Sequence, residues 1–486
     1  MNHLEEVHVA PLPISRFAPL IGEDRIRETE RMASETARRM SGRVWWNVNS
    51  TARGGGVAEM LQPLLAYARG AGIDARWLVI AGTPEFFHVT KRMHHALHGA
   101  VGDGSPLGDA ERAIYEEVLE ANAKELLPLV QPGDVVLLHD PQTAGLAPGL
   151  VAHGATVIWR SHVGADAPNE QTAQVWDFLA PYLTDVAATV FSREAYVPEC
   201  CHPERSVIIP PSIDAFSPKN QDLDEATVRA ILVRTGLVEG PPGDGQPVFH
   251  RTDGSPGRVD RPAEVIRLGR APSWETPLVV QVSRWDPLKD PIGVMQGFAE
   301  LIDVSAPADA DLVLAGPNVT GVSDDPEGAA TFEQVIAAWR ALPDGDRARV
   351  HLASLPMTDG EENAAIVNAL QRHAAVVAQK SLREGFGLTV TEAMWKGRPV
   401  VASRIGGIQD QIVDGEHGLL VDPADLPGFG DAVRRVLLDP ALGERLGTNA
   451  YRRVTDTYLG IRHLLQYGEL LARLSALGEQ EAKTQE

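Results

Sequence analysis

Cysteine is nearly absent from this chain. Its 486 residues include two, Cys200 and Cys201, and they are adjacent. Neighbours in sequence rarely bridge, so a disulfide framework is excluded and a reducing cytoplasm is the expected home. Long apolar runs are missing too: none reaches the roughly 18 residues a membrane-spanning helix needs. The opening MNHLEEVHVAPLP is acidic and lacks an apolar signal core, which argues against export. Positive charge is scarce, with 44 Lys and Arg against 66 Asp and Glu and a formal net charge of −22. Binding to nucleic acid or an anionic membrane rests on positive surface, so neither is an expected partner. A phosphorylated small molecule stays compatible, because it needs only one or two local cations and aimed backbone donors. Several motifs are also lacking. There is no zinc-type His/Cys spacing, no G-x-x-x-x-G-K-[ST] loop and no G-x-S-x-G elbow. SDDPE at 323–327 sets two carboxylates side by side, but Ser, Asp and Pro favour a turn. Neither a metal nor a cofactor is expected.

What the chain does contain is a long alternation of short apolar runs and helical stretches. The first half gives RVWWNVN, ARWLVIAG, DVVLLHDP, TVIWRSHV, AATVFS and SVIIPPS. The second gives PLVVQVSRW, DLVLAGP, RVHLASLP, AAVVAQKS, RPVVASRI and GLLVDP. Runs apolar on both faces, separated by helices, predict parallel strands buried between helical layers. Two such series predict an α/β protein of two facing, doubly wound Rossmann-like domains, with the ligand site in the cleft between them. Length agrees, at about 150 residues per domain as a soft prior. The expected domains are residues 1–215, beginning with a charged helix over EDRIRETERMASETARRMSG, and 216–455. A helix at 456–486 is expected to pack back toward the first domain and to end in a frayed tail. Residues 239–264 are rich in Gly and Pro and lack periodicity, so they read as a surface excursion without helix or core strand.

Three stretches carry chemistry. In WWNVNSTARGGGVAEMLQPLLAYARGAG a strand runs into Gly54, Gly55 and Gly56, and then an amphipathic helix begins. Such a turn lets a ligand approach the backbone at a helix N-terminus, or it is a packing turn and nothing more. A dinucleotide dehydrogenase would want a carboxylate closing the second strand; Asp74 precedes that strand instead. In VVQVSRWDPLKDP, Arg284 and Lys289 follow a strand and could neutralise two phosphates, or simply pair with Asp286 and Asp290. In SLREGFGLTVTEAMWKGRPVVAS, Glu384 and Glu392 flank a Gly-Phe-Gly turn and a helix start. Amides near Leu388 and Thr389 could serve an anion, and each carboxylate could accept from a vicinal diol. The bland alternative is a pair of carboxylates favoured by the helix dipole. His139 and Asp140 in LLHDPQ, and His162 and Asp166 in WRSHVGAD, sit at strand ends where they serve either structure or a substrate hydroxyl.

Together these stretches resemble the retaining glycosyltransferases of family 4, whose architecture is the two-Rossmann GT-B fold. NVNSTARGGGVAEML, GIDARWLVIAGTPEFFHVTKRMHHALHG, LLHDPQTAGL, WRSHVGAD, IIPPSIDAFSPKN and VVQVSRWDPLKDP are most similar to the trehalose synthase group. The resemblance covers most of residues 42–455. It implies transfer of glucose from a nucleotide diphosphate glucose to glucose, without a metal. On this likeness Arg284 and Lys289 would hold the donor diphosphate. Glu384 would bind the donor sugar and Glu392 the ribose. The backbone of Gly385, Phe386, Gly387, Leu388 and Thr389 would approach sugar and phosphate. Gly55 and Gly56 would touch the phosphate, His162 the donor sugar, and His139, Asp140 and Asn49 the acceptor. The partners would be a nucleotide sugar and a small sugar, with a homodimer among the open assemblies. Rival readings are a retaining trehalose phosphorylase, another family 4 hexosyltransferase, a nucleotide-sugar epimerase, or a non-catalytic sensor.

Overall fold

The computed structural model describes residues 4–52, 56–102, 104–303, 310–319 and 326–485. The chain divides into two compact units, Met1–Ser212 with Tyr458–Glu486, and Ile213–Thr457.

The first unit is built on a seven-stranded sheet of β1 (Glu5–Val7), β2 (Trp45–Asn49), β3 (Ala75–Val79), β4 (Val135–His139), β5 (Thr156–Ser161), β6 (Ala188–Phe191) and β7 (Ser206–Ile208). The order is β1-β3-β2-β4-β5-β6-β7, and all neighbours are parallel except β1 against β3. WWNVN and VVLLH are buried at every position, as strands covered on both faces must be. Trp46, Val48, Leu78, Leu138 and Trp159 join Phe86, Tyr115 and Phe178 from covering helices in one core. The helix Gly460–Gln485 returns to this unit and packs on the helices Glu23–Arg39 and Gly56–Gly70. Its buried Leu464, Tyr467 and Leu471 recur every three or four residues, the spacing of one helix face.

The second unit holds β8 (Val248–His250) and β9 (Pro256–Arg258), which pair with each other alone. Its main sheet contains β10 (Glu264–Ile266), β11 (Leu278–Val282), β12 (Asp311–Pro317), β13 (Val350–Leu355), β14 (Val376–Gln379), β15 (Val400–Ser403) and β16 (Leu419–Val421). The order is β10-β13-β12-β11-β14-β15-β16, parallel except for β10 on the edge. Strand order therefore reverses between β11 and β14 here, and between β2 and β4 in the first unit. Open α/β sheets bind ligands outside the carboxyl ends of the strands at such a reversal.

Twelve apolar runs expected as strands are strands, and the expected α/β class with two parallel-sheet units is present. The excursion at 239–264 holds no helix. It is not free of regular structure: it forms the β8–β9 hairpin and leads into edge strand β10. Side chains from elsewhere hold it. Arg251 makes a two-pronged contact with Asp359, at 3.2 and 2.6 Å, and also reaches Glu361 at 3.0 Å. The buried Glu362 accepts from the amides of Asp260 and Arg261 at 2.7 and 2.8 Å, and from the Arg261 side chain. Arg251 holds the Asp359 carboxyl down to about 2. The expected turn at 323–327 falls largely outside the described residues, as do Gly54 and Gly55.

Candidate active site

In the second unit, two loops leave neighbouring strands at the reversal point. After β11 the chain passes Arg284 and makes a short turn, Pro287–Lys289, capped by the Asp286 side chain, which accepts from the Leu288 amide at 2.8 Å. The buried Gln281 grips the end of that turn by donating to the Lys289 carbonyl at 2.7 Å. After β14, Lys380 and Ser381 lead into the Glu384–Gly387 turn. The loops are joined where the Leu382 amide donates to the Leu288 carbonyl at 2.8 Å.

This joint decides where the charges go. Lys289 Nζ donates to Glu384 Oε2 at 2.6 Å, with the two side chains 18% and 10% exposed. Ser381 donates to the same oxygen at 3.2 Å, and Gln379 orients Ser381 from behind at 3.0 Å. The local alternative, Lys289 with Asp290, does not form. Asp290 sits in the left-handed region at φ 48° and takes Lys380 instead. Arg284 is 68% exposed, and among the described residues its one polar contact is Asp286 at 3.5 Å. An exposed contact of that length contributes little, so the guanidinium is available to an anion.

The helix Leu388–Trp395 starts beside Glu384. Its N-cap is Gly387 at φ 84°, with no side chain capping the helix. The first turn of any helix leaves its leading amides without intrahelical acceptors, so those of Leu388 and Thr389 stand open to an anion, next to a lysine. The turn before them is fixed. Gln411 donates to the Phe386 carbonyl at 2.6 Å, and the Gly407 amide donates to the Gly385 carbonyl at 2.9 Å. A Cβ on Gly407 would lie 2.7 Å from Phe386 Cα, so glycine is required at that approach. Glu392, one turn into the helix, is 3% exposed, with Lys219 Nζ 3.6 Å from its Oε1. Beneath it the buried Lys396 donates to Asn220 Oδ1 at 3.0 Å and to the Glu392 carbonyl at 3.1 Å. Burial pushes Lys396 down to about 7.

The first unit has its own polar cluster, at the ends of β4 and β5. His139 and His162 stack at 5.3 Å, with Nδ1 of the first 3.0 Å from Nε2 of the second. His139 Nε2 lies 3.2 Å from Asn47 Oδ1 and so carries a proton. His139 Nδ1 therefore accepts from His162 Nε2–H, which leaves His162 Nδ1 as an acceptor. Burial, aided by the Arg160 charge, holds both rings well below the usual histidine range. Asp140, at φ 63°, accepts from the His162 amide at 2.8 Å. Arg160 is fully buried and spans to the C-terminal helix: it donates to His463 at 2.9 Å, to Tyr467, and to the Ile209 carbonyl at 3.0 Å.

The structure thus brings Lys289, Glu384, Gly385, Phe386, Gly387, Leu388 and Thr389 together, with Glu392 one helical turn away. It brings His139, His162 and Asp140 together in the other unit. Asn49 is 3% exposed there, and its amide accepts from Trp77 at 2.8 Å and donates to the Thr51 carbonyl at 2.7 Å. Gly56 opens its helix, while Gly55 lies outside the described residues. Sequence reasoning missed Lys380, Ser381, Gln411, Lys219 and Asn47. The first two had a signal, since polar KS ends an apolar strand; the others act across long stretches of chain. Among the described residues no group of three or more His, Cys, Asp or Glu could hold a metal ion. No helix among them is long and apolar enough to cross a membrane.

Comparison with known proteins shows what the chain as a whole is similar to. Residues 47–198 match the family described as "Trehalose synthase, N-terminal domain", and residues 354–453 match "Glycosyl transferases group 1". The trehalose synthase of Rubrobacter xylanophilus is 35% identical over 92% of this chain and 94% of its own length. That of Pyrococcus horikoshii is 33% identical over 98% of this chain and 99% of its own. A trehalose phosphorylase of Pleurotus pulmonarius is 28% identical over 84% of this chain but only 54% of its own length. In fold, an α,α-trehalose-phosphate synthase from Burkholderia vietnamiensis superposes with a TM-score of 0.65 at 15% identity, covering 89% of this chain and 98% of its own.

Proposed function

The chain belongs to the trehalose synthase family of glycosyltransferases, and on that premise we propose that it transfers glucose from ADP-glucose or UDP-glucose to free glucose. The product is trehalose, the donor's anomeric configuration is retained, and the reaction is reversible and needs no metal. One observation carries this reading: a lysine, a carboxylate and an uncapped helix start converge where strand order reverses in the second unit.

The chemistry follows from charge. As the bond from glucose C1 to the diphosphate oxygen breaks, negative charge collects on the diphosphate. Lys289, Arg284 and the amides at Leu388 and Thr389 stabilise that charge more in the transition state than in the ground state. Before the donor arrives, Lys289 and Glu384 satisfy each other at 2.6 Å. The diphosphate competes for the lysine, and Glu384 then accepts from hydroxyls of the donor sugar. Glu392 accepts from the ribose. The acceptor hydroxyl attacks C1 from the leaving-group side, and its proton passes to the departing phosphate oxygen, so nucleoside diphosphate leaves as trehalose forms. Gly55 and Gly56 are assigned to the phosphate by the family likeness alone. His162 meets sugar hydroxyls through its acceptor nitrogen, with Asp140 beside it. His139, Asp140 and Asn49 are assigned to the acceptor.

The test is incubation with ADP-glucose or UDP-glucose and glucose, with products identified by NMR. Trehalose plus nucleoside diphosphate supports the proposal. Turnover of trehalose only with inorganic phosphate makes the enzyme a phosphorylase and overturns it.

A further inference from the structure

The stretch IIPPSIDAFSPKN, which leads into the second unit, has so far had no role in the chemistry. We propose that Lys219, near its end, is a positioning residue of the donor site: it holds the Glu392 carboxylate for the ribose hydroxyls of the nucleotide. The inference rests on the assignment of Glu392 to ribose made above.

Two helices clamp the segment that carries Lys219. Trp395 Nε1 donates to the Asn220 carbonyl at 2.9 Å, and Lys396 Nζ to Asn220 Oδ1 at 3.0 Å. From the helix Gly360–His373, Asn368 donates to the carbonyls of Pro218 and Gln221 at 3.1 and 2.9 Å. Arg372 adds a bond to the Gln221 carbonyl at 3.0 Å. Within the segment, Asn220 donates to the Asp214 carbonyl at 3.1 Å. The backbone on both sides of Lys219 is therefore fixed. Its side chain lies over the helix Leu388–Trp395, with Nζ 3.6 Å from Glu392 Oε1.

The need for such a cation is physical. Glu392 is 3% exposed. Burial disfavours a charged carboxylate, and a neighbouring cation restores it. A protonated carboxyl would offer a donor where a vicinal diol needs acceptors. Lys396, the other nearby lysine, hydrogen-bonds Asn220 Oδ1 and the Glu392 carbonyl, and its charge acts on the Glu392 carboxylate from there without a direct contact. Lys219 is the one of the two that reaches the carboxylate while keeping its side chain 24% exposed. It acts through Glu392, so its effect belongs in nucleotide affinity and not in the chemical step.

Calorimetric titration of the full-length protein with ADP and 2′-deoxy-ADP, and with UDP and 2′-deoxy-UDP, tests this. Wild type binds the deoxy nucleotide about tenfold more weakly, as expected for a lost bond to a charged acceptor. Lys219→Met weakens the ribonucleotide by a similar factor and leaves the deoxy nucleotide nearly unchanged, so the preference collapses. Lys219→Arg keeps the preference, and kcat at saturating donor stays within about threefold of wild type in both variants. If Lys219→Met weakens both nucleotides equally, or leaves the preference intact, the proposal is overturned while the ribose assignment stands. If wild type itself shows no preference, the ribose assignment falls and the proposal falls with it.

Discussion

Replacing Lys289 separates catalysis from stability in this protein. The lysine has two jobs in the account: partner to Glu384 in the empty site, and cation to the diphosphate in the occupied one. Their sizes can be worked out separately. At 2.6 Å, Coulomb attraction at an effective dielectric of about 20 is roughly 6 kcal/mol, before desolvation is subtracted. Removing one partner of a fully buried pair costs about 3–5 kcal/mol. Here the side chains are 18% and 10% exposed, and Ser381 still serves the carboxylate. A loss of about 2 kcal/mol is therefore expected for Lys289→Met, or roughly 4–8 °C in Tm for a unit of this size. Glu384→Gln should cost less, because the amide is neutral. The double variant should recover part of the loss, since no unpaired charge remains. Activity should follow another pattern. Losing one aimed charge from the transition state costs about 100- to 1,000-fold in kcat, and the double variant recovers none of it. Urea unfolding and initial rates on the same three variants read both patterns. Lys289→Met with kcat/KM within tenfold of wild type would refute the reasoning, whatever happens to stability.

Gly387→Ala should destabilise by about 1–2 kcal/mol, the cost of a left-handed backbone for an L-residue. Its φ is 84°, and its Cβ would meet Ile408 at 3.1 Å and Glu384 at 3.3 Å, so donor KM should rise with it; urea denaturation and donor titration check both. Lys396 titrates at about 7 in the fold and near about 10.4 when unfolded. Its charged form therefore costs stability below pH 7, and that cost fades as pH climbs to about 10. Relative to Lys396→Met, wild type should gain stability over that window; equal slopes in Tm against pH would count against the burial. Asp359 runs the other way. Its carboxyl is held at about 2 against about 3.9 unfolded, so its stabilisation is present above pH 4 and is lost as pH falls through 2. Asp359→Asn should be less stable at neutral pH and show a flatter acid limb, read by thermal melts.

The strands at the heart of both sheets were legible because they are covered on both faces. VVLLH and LVVQV leave a continuous apolar signature that needs no partner to interpret. The edge strands β1 and β10 were not legible. Each has three residues, partly exposed, and each exists only because a neighbour offers a free edge. The hairpin at 248–258 was hidden for a related reason: Arg251 and Arg261 fasten it to carboxylates about a hundred residues away. At the candidate site, the residue types could be read but their pairing could not. Sequence proximity suggests Lys289 with Asp290, yet the left-handed backbone at Asp290 turns that carboxylate to Lys380. That frees Lys289 for Glu384. Lys219 was invisible as a site residue because its contact with Glu392 depends on the path of the whole second unit. The His139–His162 stack needed β4 and β5 to lie side by side before two isolated histidines became a hydrogen-bonded pair.

The most direct measurement is a crystal structure of the full-length protein with bound ADP-glucose or UDP-glucose. The account predicts a diphosphate within hydrogen-bond reach of Lys289 Nζ and of the Leu388 and Thr389 amides, with the Lys289–Glu384 contact opened and Glu384 on the glucose hydroxyls. A donor bound elsewhere, with Lys289 still locked to Glu384, would contradict it.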